Sequence, residues 1–376
     1  MDNILLSAAL SFIITFFAIP VVIQIAKDKK LFDEPDERKV HKTVIPTLGG
    51  LGIFAGFMVA TLMGIPAGVS PEFQYFMAAA IVIFFLGLKD DIMILSASKK
   101  FIGQLIAAGI LIKFGGISLT NMHGFLGIYE IPYIASIVLS FFTIIVITNS
   151  FNLIDGVDGL AGSLGALTTF VFGSYFLYAG LIPYAVLSFS LTGSLVGFLI
   201  YNFSPAKIFM GDTGSLLLGL VNSILVIKFI NVAGAPGAAF PIPSSPAIGF
   251  AILMIPLFDT LRVFGLRILD RRSPFSPDRI HVHHFLLDLG FSHKKITFSC
   301  LAATIGFIGL AVAMRHVGPT TTIAAMLVAA LSLIGIIYYL RQRSRNATIF
   351  MNTPAESEIL KSHKILGFAS ETVEVD

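Results

Sequence analysis

The chain has one cysteine, Cys300, set in an apolar run, so no internal disulfide can form and the residue reads as a small buried hydrophobe. Charge is equally scarce. Only 12% of the 376 residues are Asp, Glu, Lys or Arg, and the formal net charge is +3. The basic residues are spread over several loops instead of forming a stripe, which argues against nucleic acid as a partner and for anionic membrane lipids. There is no Gly-Lys-Ser/Thr phosphate loop and no His-Glu-x-x-His zinc motif. Nor is there an internal repeat, or the alternating pattern of a membrane barrel. The opening Met-Asp-Asn lacks a basic region and the first lysines follow the first apolar run, so a cleaved signal peptide is not expected.

What the chain does have is apolar length. Hydrophobic residues make up 56% of it and mean hydropathy is +0.89, values that exclude an ordinary soluble domain. A bilayer core of about 30 Å takes roughly 20 apolar residues per helix. That places spans near 4–25, 46–66, 73–89, 99–114, 132–149, 159–179, 182–200, 214–230, 246–266, 296–314 and 319–340. The expected fold is all-α: a polytopic integral membrane protein of about eleven transmembrane helices, since lipid obliges each spanning backbone to satisfy its own hydrogen bonds. Residues 1–340 form the membrane domain. Residues 341–376 form a cytoplasmic tail in which Arg341, Arg343 and Arg345 give way to a polar, acidic, partly disordered end. The positive-inside rule puts the N-terminus outside and residues 27–45 in the cytoplasm. Lys113, Lys228 and Arg315 then fall at outer helix ends, and the other 22 of the 25 basic residues lie on or near the inner side.

With that parity the loops after odd-numbered spans are cytoplasmic, and four polar clusters share that face: Asp90-Asp91, Asn149 to Asp158, Asn202 to Ser215, and His281-Val-His283-His284. Each has a plain alternative. Asp90-Asp91 could end a helix beside Lys89, yet adjacent carboxylates repel and want a cation or a proton. Lys100 and Gln104, one turn apart, suit a phosphate near that pair, although lysines at a membrane boundary also serve as interfacial anchors. In Asn149-x-x-Asn152-x-x-Asp155-Gly-Val-Asp158-Gly the glycines permit a sharp turn, and the carboxylates point one way if Asp158 opens the sixth span as a cap. Asp212 stands at a helix start, where it serves as a cap or favours an anion site. The histidines are either solvated loop residues or contacts for a phosphoryl group. Asp259 and Arg262, i and i+3 within the ninth span, read as an intramembrane ion pair. Residues 281–289 read as a short helix ended by Gly290, with Ser292 starting the run into the tenth span.

These stretches, together with His41-Lys42-Thr-Val-Ile-Pro46-Thr-Leu-Gly49-Gly50 and Pro277-Asp-Arg279-Ile-His281-Val-His283-His284, resemble the polyprenyl-phosphate N-acetylhexosamine-1-phosphate transferases, membrane enzymes that start cell-envelope glycan assembly. The resemblance implies transfer of a sugar-1-phosphate from a UDP-sugar to a polyprenyl phosphate with Mg²⁺, or Mn²⁺ in its place, releasing UMP at the bacterial inner membrane. It implies Asp212, Asp90 and Asp91 as metal ligands and catalytic groups. Lys42, Lys100, Asn149, Asn152, Asp155, Asp158 and Asn202 would surround the nucleotide and its phosphates, with Phe209 stacking on uracil. His281, His283 and His284, with Arg279, would meet the pyrophosphate or sugar. A homodimer is compatible with the resemblance. The spaced histidines differ from the His-His-His-Phe-Glu pattern of the peptidoglycan branch, which takes UDP-N-acetylmuramoyl-pentapeptide. With the extra span they resemble the branch that uses UDP-GlcNAc for O-antigen or teichoic-acid linkage units, related enzymes accepting other N-acetylhexosamines. A cation-coupled transporter or lipid flippase is the alternative from another class, but its sites belong near the midplane with repeat symmetry.

Overall fold

The computed structural model describes residues 2–29, 45–66, 68–272 and 280–352. Among them the chain forms helices α1 (Asp2–Asp28), α2 (Gly49–Gly64), α3 (Glu72–Ile92), α4 (Ala97–Lys113), α5 (Tyr133–Ile154), α6 (Leu160–Tyr178) and α7 (Ile182–Asn202). Then follow α8 (Gly211–Ala233), α9 (Ser245–Ile252), α10 (Met254–Leu269), α11 (Val282–Asp288), α12 (His293–Ala313) and α13 (Pro319–Asn352). Strands β1 (Asn121–Phe125) and β2 (Ile128–Glu130) pair as an antiparallel hairpin between α4 and α5. The protein is an all-α, multi-pass membrane protein.

A helix stands at every expected span. Among the described residues seven are long and apolar enough to cross a membrane, or eight if α9 and α10, bent by 84° at their junction, count as one span. α2, an apolar helix of 16 residues, α3 and α4 occupy the remaining expected positions. The break in the ninth span has a local cause: Pro256 has no N–H to give to the carbonyl of Ile252, the last residue of α9, and its ring crowds that carbonyl. α11 ends before Gly290 at φ +82°, and Ser292 caps α12 by accepting from the Lys295 N–H, as expected from the sequence. α13 continues past residue 340 to Asn352, and Arg341 pairs with Asp288 of α11.

α8 is the axis of the bundle. It packs against α2, α3, α5 and α6, and 83% of its apolar window is buried, against 11% for α13. A helix apolar on every side is one enclosed by protein or lipid, and here both cases occur. The hairpin was not foreseen in what reads as a plain loop, since its Gly124 and Gly127 turn is too short to carry a strand signal. Its His123 lies against Gly234, just past the end of α8, so the hairpin marks the end of the bundle opposite Gly211.

Candidate active site

The site is built around the first turn of α8. Gly211 has φ +71°, and a Cβ there would stand 2.1 Å from the Thr47 carbonyl oxygen and 2.7 Å from the Asp91 carboxylate, so only glycine fits. The preceding segment is tied to the residues before α2 through the main chain: Phe209 N–H donates to Pro46 O, Gly49 N–H to Phe209 O and Gly50 N–H to Met210 O. The Pro46-Thr-Leu-Gly49-Gly50 motif thus holds the strip that delivers Asp212.

The neighbours Asp90 and Asp91 divide the labour. Asp91 caps α8: Oδ1 accepts from the Asp212 N–H at 2.7 Å, and Oδ2 from the Thr213 N–H at 3.0 Å and its hydroxyl at 2.6 Å. Both oxygens are spent on α8's unsatisfied donors. Asp90 turns the other way, accepting from the Leu95 N–H at 2.6 Å, and its Oδ2 lies 2.5 Å from Lys100 Nζ. Lys100 reaches Asp212 Oδ2 at 2.7 Å, so one ammonium bridges two carboxylates from different helices. Asn152 donates from Nδ2 to Asp212 Oδ1 and to Ser215 Oγ, both at 2.9 Å. Gln104, one turn beyond Lys100, exchanges amide hydrogen bonds with Asn149 at 2.7 and 3.4 Å.

Burial raises the pKa values of the carboxyls at the ends of α3 and α5. Asp91, beyond the apolar run of α3, is pushed up to about 6 by burial despite its three donors, with Asp212 adding to the rise. Asp90 is raised by burial first and then by its hydrogen bond to Asp212, against Lys100 and Leu95. Asp155 is raised well above the usual carboxylate range by burial, and by the charges of Asp212, Asp91 and Asp158. No hydrogen bond among the described residues offsets that rise.

Two expected site residues are tied to the protein's own backbone. Asp158 does not cap α6, whose first turn follows Gly159. Its Oδ2 accepts from the Ala206 N–H at 3.2 Å, its Oδ1 lies 3.1 Å from His293 Nδ1, and its carbonyl accepts from Thr297. Asn202 is buried, accepting from the Gly159 N–H at 2.9 Å and donating to Ile208 O at 2.8 Å, which clasps the turn after α5 to the loop before α8. Phe209 is half-buried on that loop. Lys42 and Arg279 lie outside the described residues.

α11 closes the site. Gly156 abuts His283: a Cβ at 156 would come within 2.7 Å of its Nε2. His283 is buried, its Nδ1 has no hydrogen-bond partner among the described residues, and burial drives its pKa down to about 3, which favours a neutral ring. Its ring stacks on His281 at 5.6 Å and contacts His284 at 4.2 Å. The expected Asp259–Arg262 pair is present at 2.8 Å, and His281 joins it through Nδ1 at 2.9 Å from Asp259. A cavity of about 230 Å³ runs from His283 and Asp259 between α10, α12 and α13, and Ile154, Phe258, Leu286, Cys300 and Phe307 make most of its wall apolar. Sequence reasoning assigned no role to Thr213, Ser215 or His293. Their residue types are common at helix ends, and only their partners single them out.

Among the described residues no three His, Cys, Asp or Glu side chains converge as a ready metal cage. The donor set nevertheless fits a hard divalent cation of the kind that takes one or two carboxylates and completes its shell with water and substrate oxygens. Asp90 and Asp212 already share one cation, the Lys100 ammonium.

The sequence profile of glycosyl transferase family 4 matches residues 73–230, from the start of α3 nearly to the end of α8. The chain is 35% identical over 314 residues to a decaprenyl-phosphate N-acetylglucosaminephosphotransferase of Mycobacterium leprae, covering 76% of this chain and 77% of that protein. It is 36% identical over 309 residues to the protein of that name from Mycolicibacterium smegmatis, covering 75% of each. It is 28% identical over 321 residues to an undecaprenyl-phosphate alpha-N-acetylglucosaminyl 1-phosphate transferase of Escherichia coli O157:H7, covering 83% and 84%. The family match and these relatives make the chain a membrane-embedded sugar-phosphate transferase, with a half-buried carboxylate and lysine cluster at one end of its bundle. The chain belongs to glycosyl transferase family 4.

Proposed function

We propose that the protein transfers N-acetylglucosamine-1-phosphate from UDP-GlcNAc to a polyprenyl phosphate, undecaprenyl phosphate in the first instance, on the cytoplasmic face of the bacterial inner membrane. UMP is released, and the lipid product starts a cell-envelope polysaccharide of the O-antigen or teichoic-acid type. The observation that carries this reading is the bridge Asp90–Lys100–Asp212, backed by Asn152, at the end of the bundle where α11 and the apolar cavity also meet. Such a site pairs phosphate-handling groups with room for a prenyl chain, and the names of the relatives fit both halves.

In the reaction an oxygen of the lipid phosphate bonds to the sugar-bearing phosphorus as the phosphorus–oxygen bond to UMP breaks, and that electron pair leaves on the UMP phosphate. Positioning and charge neutralisation supply the acceleration. Mg²⁺ held by Asp212 and Asp90 would neutralise phosphate charge when bound. Lys100 is placed to move from its carboxylates onto phosphate oxygens, Asn152 orients Asp212, and Asp91 keeps the first turn of α8 rigid. Neutral His283 contributes a hydrogen bond and no charge.

Purified protein incubated with radiolabelled UDP-GlcNAc, undecaprenyl phosphate and Mg²⁺ tests the proposal. Lipid-linked label and free UMP are expected. Product only with another UDP-N-acetylhexosamine, or with UDP-N-acetylmuramoyl-pentapeptide, would keep the chemistry and overturn the donor.

A further inference from the structure

Asp259 belongs to α10, apart from the carboxylate cluster, and phosphate transfer as described leaves it without a role. Its side chain is buried, and both oxygens are engaged. Oδ1 accepts from Arg262 Nη2 at 2.8 Å and from the Val282 N–H at 3.1 Å; Oδ2 lies 2.9 Å from His281 Nδ1. Arg262 also donates to the Ile280 carbonyl at 2.5 Å. The main chain on each side of His281 and the imidazole itself are therefore all tied to one buried pair.

The chemistry of that pair fixes the ring. A carboxylate that accepts from a guanidinium and a backbone N–H is held as an anion, and an anion only accepts. Nδ1 of His281 must therefore carry the hydrogen, which leaves Nε2 as the ring atom that takes, gives or shares a proton. The neighbouring His283 has no such orienting group among the described residues, its Nδ1 being buried there without a hydrogen-bond partner. Phe285 packs beneath the assembly, 5.5 Å below the Arg262 guanidinium and 4.6 Å from that of Arg341, so α13 braces it as well.

We propose that Asp259 is a positioning residue that locks His281 in its Nδ1–H state, so that Nε2 is the histidine atom offered to the substrate phosphates. This rests on the phosphate-transfer reading above. Asp259→Asn tests it, because the amide keeps an oxygen for Arg262 and Val282 but sets an NH₂ group against Nδ1, which must then accept. Nitrogen-15 spectra of histidine-labelled protein in nanodiscs, with the signal assigned by His281→Ala, should show hydrogen on Nδ1 in the native protein and on Nε2 in Asp259→Asn. Turnover should fall by about 10²-fold, with KM for the nucleotide sugar held within about twofold. The double variant Asp259→Asn with His281→Ala should be no slower than His281→Ala alone, as for residues acting as one unit.

A native His281 without hydrogen on Nδ1 would overturn the inference. So would Asp259→Asn at native turnover, or losses that multiply in the double variant. Should Asp259→Asn fail to fold, the native spectrum still decides the tautomer. Should the native protein make no lipid-linked product from UDP-GlcNAc, the donor reading fails while the spectra still judge Asp259.

Discussion

α3 and α8 run side by side and bury ionisable groups at both ends, but not in the same way. At the site end, Asp90 of α3 and Asp212 of α8 share one ammonium, Lys100, with the carboxyls of Asp91 and Asp155 close enough to Asp212 to feel its charge. At the far end, Lys228 of α8 lies 4.6 Å from the centre of the Tyr184 ring, and the Tyr184 hydroxyl reaches Glu72 at the start of α3, 3.4 Å away. The far cluster balances one cation with one anion and a ring. The near one holds a surplus of negative charge at a membrane boundary, which is costly unless a cation or a cationic ligand arrives. Local neutrality is what structure needs, and the departure from it marks the place where something binds.

The largest expected effect breaks the near end alone. Asp212→Asn should lower transfer by about 10²- to 10³-fold in folded, purified protein, whereas Glu72→Gln should leave transfer within about twofold; formation of lipid-linked label measures both. Removing divalent ions with a chelator should abolish turnover and Mg²⁺ should restore it, with the Glu72→Gln protein responding like the native one. A smaller loss, of about 10²-fold or less, follows from Gly156→Ala, whose Cβ would displace His283 by crowding Nε2 at 2.7 Å. Its melting temperature should change little.

pH sharpens the comparison further. The Asp91 carboxyl sits at about 6 in the folded protein, above its ordinary value of 3.8, so folding favours its protonated form. That contribution is complete below the ordinary value and is lost as pH rises through about 6. Without divalent ions, the melting temperature should therefore be higher at pH 5 than at pH 7, and Asp91→Asn should shrink the difference. The smallest effect belongs to the far end, where Glu72→Gln should cost about 1 kcal/mol or less, read as a small drop in melting temperature.

Much of this was legible in the sequence, because the cost of polar groups among apolar runs is itself a strong signal. Asn149, Asn152, Asp155, Asp90-Asp91 and Asp212 stood out on that ground, and parity alone grouped them with the histidines. The structure brings Asn152, Asp90, Asp91 and Asp212 within one hydrogen-bonded network. Asp158 and Asn202 stood out for the same reason, and the structure ties both to backbone groups, which the sequence could not show, since a buried polar side chain signals a partner without saying what that partner is. Asp259 was legible only as half of an ion pair, because its third partner, His281, is 22 residues away and arrives through the fold of α11.

The sequence by itself determined the class of the protein, the placement of its spans and the end of the bundle at which its chemistry collects. Hydropathy and charge are additive along a chain, and a bilayer reads them locally. Only the tertiary structure decided which oxygen meets which donor: that Asp91 caps α8 while its neighbour Asp90 turns to Lys100, and that Asp259 holds His281. The Asp91–Asp212 bond joins residues 121 positions apart. No local pattern encodes that meeting, which depends on how α3 packs along α8 and on the glycine that lets them close.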